Sequence, residues 1–130
     1  MSCQFHILVA DRNRHVRDLL RRELLQEGYS VQVAKDADEV MAMIEGCRIP
    51  DLVLLDLEIP NPGGIDMLEI LSGREPPLPI LVHTLEEEPG VADSRWPTVA
   101  FLEKSGDVYK LKRVISQVLE RHYPHRFLGM

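Results

Sequence analysis

The chain has 130 residues, 45% of them hydrophobic and 28% charged, with a formal net charge of -6. That length suits one domain with a genuine core, and the acidic balance argues against a nonspecific nucleic-acid surface, which needs clustered Lys and Arg. Cys3 and Cys47 make neither a disulfide framework nor a zinc site, and no apolar run approaches the ~18 residues needed to span a bilayer.

The expectation is a soluble, cytoplasmic protein with reduced thiols, since the first apolar run meets Asp11 at once and shows no signal-peptide pattern. That run, His6-Ile7-Leu8-Val9-Ala10, reads as a strand covered on both faces. Val16, Leu19, Leu20 and Leu24 follow a helical period, and Gly28 is placed to end that helix in a left-handed cap. On its polar side Arg12, Arg14, Arg17, Arg21 and Arg22 cluster, but Asp18 and Glu23 are interspersed, which suits a solvated face better than a nucleic-acid patch. Residues 29–34 alternate like a strand near a sheet edge.

Asp36 followed by Glu39 is a capping-box variant that opens a helix with Val40, Met41 and Ile44 inward, and Gly46 closes it. After Pro50, Leu52-Val53-Leu54-Leu55 runs into Asp56. Residues 60–64 form a tight loop, Ile65, Leu68 and Leu71 start a third helix, and Gly73 stops it. Ile80-Leu81-Val82-His83 leads to Thr84, and Ala100-Phe101-Leu102-Glu103 leads to Lys104. Between these last two strands, Pro89, Gly90 and Pro97 predict a helix that is short or irregular. A final helix is predicted over about 107–122, with Asp107 as cap and Val108, Leu111, Ile115, Val118, Leu119 and His122 on its period. The remaining tail either frays or docks through Phe127 and Leu128.

Alternating strands and helices imply a doubly wound α/β fold, a five-stranded parallel sheet with helices on both faces. In such a sheet, ligands sit beyond the carboxyl ends of the strands. Asp11, Asp56, Thr84 and Lys104 all stand at such ends. Two carboxylates, a hydroxyl and an ammonium in one crevice suit a phosphoryl group and a divalent cation. Asp56 is the expected acceptor, because a carboxylate facing a Lys can hold a phosphoryl group as an acyl phosphate. The bland alternative makes Asp56 a helix cap, yet Leu57 and Ile59 follow it rather than a helix. Alone, Asp11 suits an N-cap of the first helix as well as a metal ligand. His6, His15, His83, His122 and His125 fit no zinc spacing and read as structural or surface residues.

With Ile7-Leu8-Val9-Ala10-Asp11, Leu54-Leu55-Asp56-Leu57-Glu58-Ile59-Pro60, Gly64, Thr84 and Phe101-Leu102-Glu103-Lys104 in this order, the chain resembles the receiver domain of two-component response regulators, of the single-domain, chemotaxis-regulator-like kind. The resemblance covers about residues 5–122 and implies strand order 2-1-3-4-5. It also implies that Asp56 accepts phosphate from a sensor histidine kinase or phosphotransfer protein, with Mg2+ beside it. Asp11 then matches one of two metal-site acids, Thr84 the switch hydroxyl, Lys104 the site lysine, and Phe101 the aromatic that turns inward. The output is expected to be a repacked surface that controls a downstream protein, with no direct contact to nucleic acid or membrane. Since only eight residues follow residue 122, the expectation is a single-domain regulator or a fragment of a longer one.

Three departures from the family pattern matter. Arg12 stands where a second metal-binding acid is usual, and Glu58 is expected to offset that loss, so that the metal set implied here is Asp11, Asp56 and Glu58. With Asp11, Asp56 and Glu58 against Arg12 and Lys104, the site carries one net negative charge rather than the usual two. A unit charge ~4 Å away is worth several kcal/mol at intermediate dielectric, so weak magnesium binding is predicted, or else an Arg12–Asp56 salt bridge that partly replaces the cation. Ser105 stands where the family has a cis Pro, so a trans peptide is expected. The segment 86–97 departs from a regular helix. The competing reading is a phosphorylation-independent, receiver-like interaction module. Phosphatase and flavodoxin readings fail, because neither the Gly-Thr after an Asp-x-Asp nor a Gly-rich first loop is present.

Overall fold

A computed structural model describes residues 4–46, 48–60, 63–84 and 98–127. The elements are β1 (His6–Ala10), α1 (Arg14–Gln26), β2 (Ser30–Ala34), α2 (Ala37–Ile44), β3 (Leu52–Leu55), α3 (Gly64–Ser72), β4 (Ile80–Thr84), β5 (Val99–Glu103) and α4 (Val108–His122), followed by a 3-10 turn at Pro124–Arg126. All strands are parallel and the sheet order is β2-β1-β3-β4-β5, as expected. The short or irregular helix expected between β4 and β5 falls in 85–97, outside the described residues.

Strand periodicity divides the core into two layers. Leu8, Ala10, Val53, Leu55, Ile80 and Val82 pack with Val40 and Ile44 of α2 and with Met67, Leu68 and Leu71 of α3. Ile7, Val9, Leu52, Leu54 and Leu81 pack with Leu20 and Leu24 of α1 and with Leu111, Ile115 and Leu119 of α4. β1 and β3 are buried on both faces, whereas β2 at the edge buries only Ala34 fully. That explains why the first reads as a continuous apolar run and the second as alternation.

Helix ends follow local chemistry, with one correction, at α2. Asn13, not Asp11, caps α1: its side chain accepts from the N–H groups of His15 and Val16 at 2.9 and 3.3 Å. Asp11 is thereby released for other work. At α2, Asp36 accepts from Glu39 N as expected, but Glu39 Oε1 reaches back to Lys35 N rather than to the cap residue itself. Gly28 takes the left-handed conformation, at φ 92°. The tail docks: the Phe127 ring stacks on Phe5 at 5.5 Å, while Leu128 lies outside the described residues. Among the described residues no helix is long and apolar enough to cross a membrane.

Candidate functional site

β1 and β3 lie side by side, with Ala10 opposite Leu55, so Asp11 and Asp56 leave the sheet together at its carboxyl edge. Asp56 N donates to Ala10 O at 2.8 Å and Asp11 N to Ala34 O at 3.0 Å, which anchors both main chains. Their side chains are 3% and 2% exposed, yet both face one ammonium. Lys104 Nζ lies 2.8 Å from Asp11 Oδ2 and 3.4 Å from Asp56 Oδ1. Lys104 is itself placed by its N–H bond to the Thr84 carbonyl at 2.6 Å, which prolongs the β4–β5 pairing. Buried charges persist only when paired and hydrogen-bonded, and every carboxylate oxygen here is met. Asp11 Oδ1 accepts from Asn13 N at 2.8 Å, Asp56 Oδ1 from Glu58 N at 3.1 Å, and Asp56 Oδ2 from Arg12 N at 3.3 Å.

Thr84 ends β4 one residue beyond His83, on the strand face that also carries Val82. Phe101 pairs with Val82 in register and is half-buried against the α2–α3 layer, so Thr84 and Phe101 share one face of the sheet. Arg12 does not bridge to Asp56 through its side chain. Only its main chain touches Asp56, and its guanidinium pairs with the Glu58 carboxylate, both side chains about half exposed. Glu58 is therefore beside the site, with its carboxylate engaged by a cation. The Lys104–Ser105 peptide is trans, since the cis peptide among the described residues is Glu75–Pro76.

Several contributors escaped sequence reasoning. Arg17 holds the Asp11 carbonyl through Nη1 at 2.8 Å; its presence on the inner side of an arginine-rich helix gave no distinguishing signal. His83 is half-buried, and its Nδ1 is enclosed without a hydrogen-bond partner among the described residues. Burial and then Lys104 push its imidazole down from 6.5 to about 4, outweighing Asp11 and Asp56. A polar residue interrupting the apolar run Ile80–Val82 was the available clue. His6, by contrast, is fully occupied across β1–β2, by Ser30 Oγ at 3.1 Å and Gln32 Oε1 at 2.7 Å.

Comparison with known proteins agrees with this geometry. A family model described as the response regulator receiver domain matches residues 7–116. The chain is 41% identical over 103 residues to the response regulator MprA of Mycobacterium tuberculosis, covering 79% of this chain and 42% of that protein. Its fold resembles a CheY-like receiver domain protein from Methanospirillum hungatei JF-1 at TM-score 0.81, with 24% identity, covering 95% of this chain and 99% of the other. It also resembles TrrA from Thermotoga maritima, solved in complex with Mg(2+)-BeF, at TM-score 0.78 and 26% identity, covering 88% and 99%. The chain belongs to the response regulator receiver family, whose members are signalling modules. It spans about two-fifths of the length of the curated relatives it matches.

Receiver domains generally bind magnesium. Magnesium demands near-octahedral oxygen coordination and is reluctant to dehydrate. Here an ammonium stands between the two buried carboxylates, and Glu58 is turned to the Arg12 guanidinium. Among the described residues no three His, Cys, Asp or Glu side chains are grouped to hold a metal. The residues present do not fit a tightly held magnesium ion.

Proposed function

We propose that this chain is a cytoplasmic phosphoacceptor receiver: Asp56 takes a phosphoryl group from the phosphohistidine of a sensor kinase or phosphotransfer protein. The reading is carried by Lys104, whose single ammonium reaches both Asp11 and Asp56 at the carboxyl edge of the sheet. An Asp56 carboxylate oxygen attacks phosphorus, the new P–O bond forms as the P–N bond breaks, and the imidazole leaves with the electron pair. Lys104 compensates the charge on the transferred oxygens, and Asp11 keeps Lys104 in place. Thr84 answers the phosphoryl group with its hydroxyl, and Phe101 on the same face changes its packing, so a local charge event biases a surface that a downstream protein reads. Thr84 and Phe101 are assigned these places as proposals, as is magnesium as a weakly held helper.

Incubating the chain with a small-molecule phosphodonor and measuring intact mass tests the reading. The expected outcome is one added phosphoryl group, absent in Asp56→Asn. A titration that finds sub-millimolar magnesium affinity contradicts the weak-metal part. The Arg12–Glu58 pair supports a second reading, a receiver-like interaction module that acts without phosphorylation; no mass change with any donor favours it.

A further inference from the structure

Arg12 and Glu58 flank the proposed acceptor twice over. Their main-chain N–H groups hold the two oxygens of Asp56, at 3.3 and 3.1 Å. Their side chains then pair with each other, 53% and 51% exposed. An ion pair that open to water contributes only about 0–1 kcal/mol, so it exchanges readily for a better partner. Phosphorylation of Asp56 would supply one. It replaces a single carboxylate charge by roughly -1.5 to -2, with three strong acceptor oxygens, between these two residues. Lys104 cannot offset that alone, because its shorter contact is already to Asp11, at 2.8 Å against 3.4 Å. The metal that would ordinarily help lacks its donor set here. Glu58 would face like charge, whereas the planar guanidinium of Arg12 matches phosphoryl oxygens in a two-pronged geometry.

We propose that Arg12 is a phosphoryl-binding residue: on phosphorylation its guanidinium leaves Glu58 for the phosphoryl oxygens, serves as the second cation beside Lys104, and frees the Glu58 carboxylate to solvent. The proposal rests on Asp56 being the acceptor. It makes phosphorylation largely independent of magnesium and couples it to the release of one surface carboxylate at the rim of the site.

The test measures phosphorylation by a small acyl phosphate, with a chelator or with millimolar magnesium, followed by intact mass. In this reaction the Asp56 O–P bond forms as the donor's O–P bond breaks, and the donor's carboxylate leaves with the electron pair. Under chelation the unaltered chain is expected to be phosphorylated, and Arg12→Ala to react about tenfold more slowly or worse, the scale of one charge-assisted hydrogen bond. Arg12→Lys should fall between them, since it keeps the charge and loses the fork. Glu58→Gln should be as fast as the unaltered chain or faster, because its competing carboxylate is gone. Circular dichroism confirms that each variant is folded. Equal rates under chelation for the unaltered chain and Arg12→Ala overturn the proposal, while an added phosphoryl group absent from Asp56→Asn keeps the acceptor reading intact. No added mass under any condition, or mass retained in Asp56→Asn, removes the acceptor reading and this proposal with it.

Discussion

Asp51 precedes β3 and Asp56 follows it, so one short strand has a carboxylate at each edge of the sheet. At the lower edge Asp51 is closed off. Its Oδ2 accepts from His6 N, its Oδ1 from Arg126 Nη1, and its carbonyl from the Tyr123 hydroxyl, each at 2.7 Å. Arg126 lies 3.9 Å over the Phe5 ring, and burial followed by Asp51 pushes the Tyr123 hydroxyl up to about 12. Among the described residues one carboxylate meets one guanidinium there, with apolar rings around them. At the upper edge two carboxylates share one ammonium, and the rest of their support among the described residues is aligned N–H groups. The same residue type thus makes a finished clasp where charge is balanced and a receptive site where it is not. What differs is the supply of cations.

The comparison breaks most completely if the two aspartates are interchangeable. Asp56→Asn is expected to abolish phosphorylation by mass, while Asp51→Asn retains it. Next in size, Asp51→Ala should cost about 3 kcal/mol in urea unfolding, because it takes the carboxylate away from the half-buried Arg126 guanidinium and the acceptor from the His6 N–H; a loss below about 1 kcal/mol would mean the clasp is ornamental.

The upper site should also carry a smaller stability cost of its own, read through pH. The native His83 imidazole resists protonation down to about 4, whereas the unfolded chain takes up that proton near 6.5. The stability that depends on neutral His83 is therefore present above pH 6.5 and lost as pH falls towards 4, with about 2 kcal/mol gone by about pH 5. His83→Leu should flatten the unfolding profile between about pH 6.5 and 5, before most carboxylates titrate; an unchanged slope would place the titration elsewhere. The smallest effect is remote from both edges. Gly28→Ala should cost about 1 kcal/mol, from the left-handed backbone at φ 92° with open space around it, and leave phosphorylation untouched.

Much of this was legible from the chain. The runs into Asp11, Asp56 and Lys104 predicted strands that bring those residues to one edge, and the structure joins all three through one nitrogen. The left-handed Gly28 and the Asp36 and Asp107 caps were likewise readable, because each depends on neighbours within a few residues. Whether Asp11 caps α1 was not legible from the chain, and the hydrogen bonds give that role to Asn13, a cap residue as good as Asp. Arg126 gave no sign of its partner, which lies 75 residues away in sequence.

The sequence by itself determined the succession of buried strands and amphipathic helices, since hydrophobic periodicity is a local property that burial rewards. It also determined that carboxylates and a lysine would gather at the carboxyl edge, because parallel crossovers turn every strand the same way. The tertiary structure alone decided which charge meets which: Lys104 closer to Asp11 than to Asp56, Arg12 on Glu58, Arg126 on Asp51. Those pairings depend on how loops cross and which way long side chains turn, and residue spacing does not encode either.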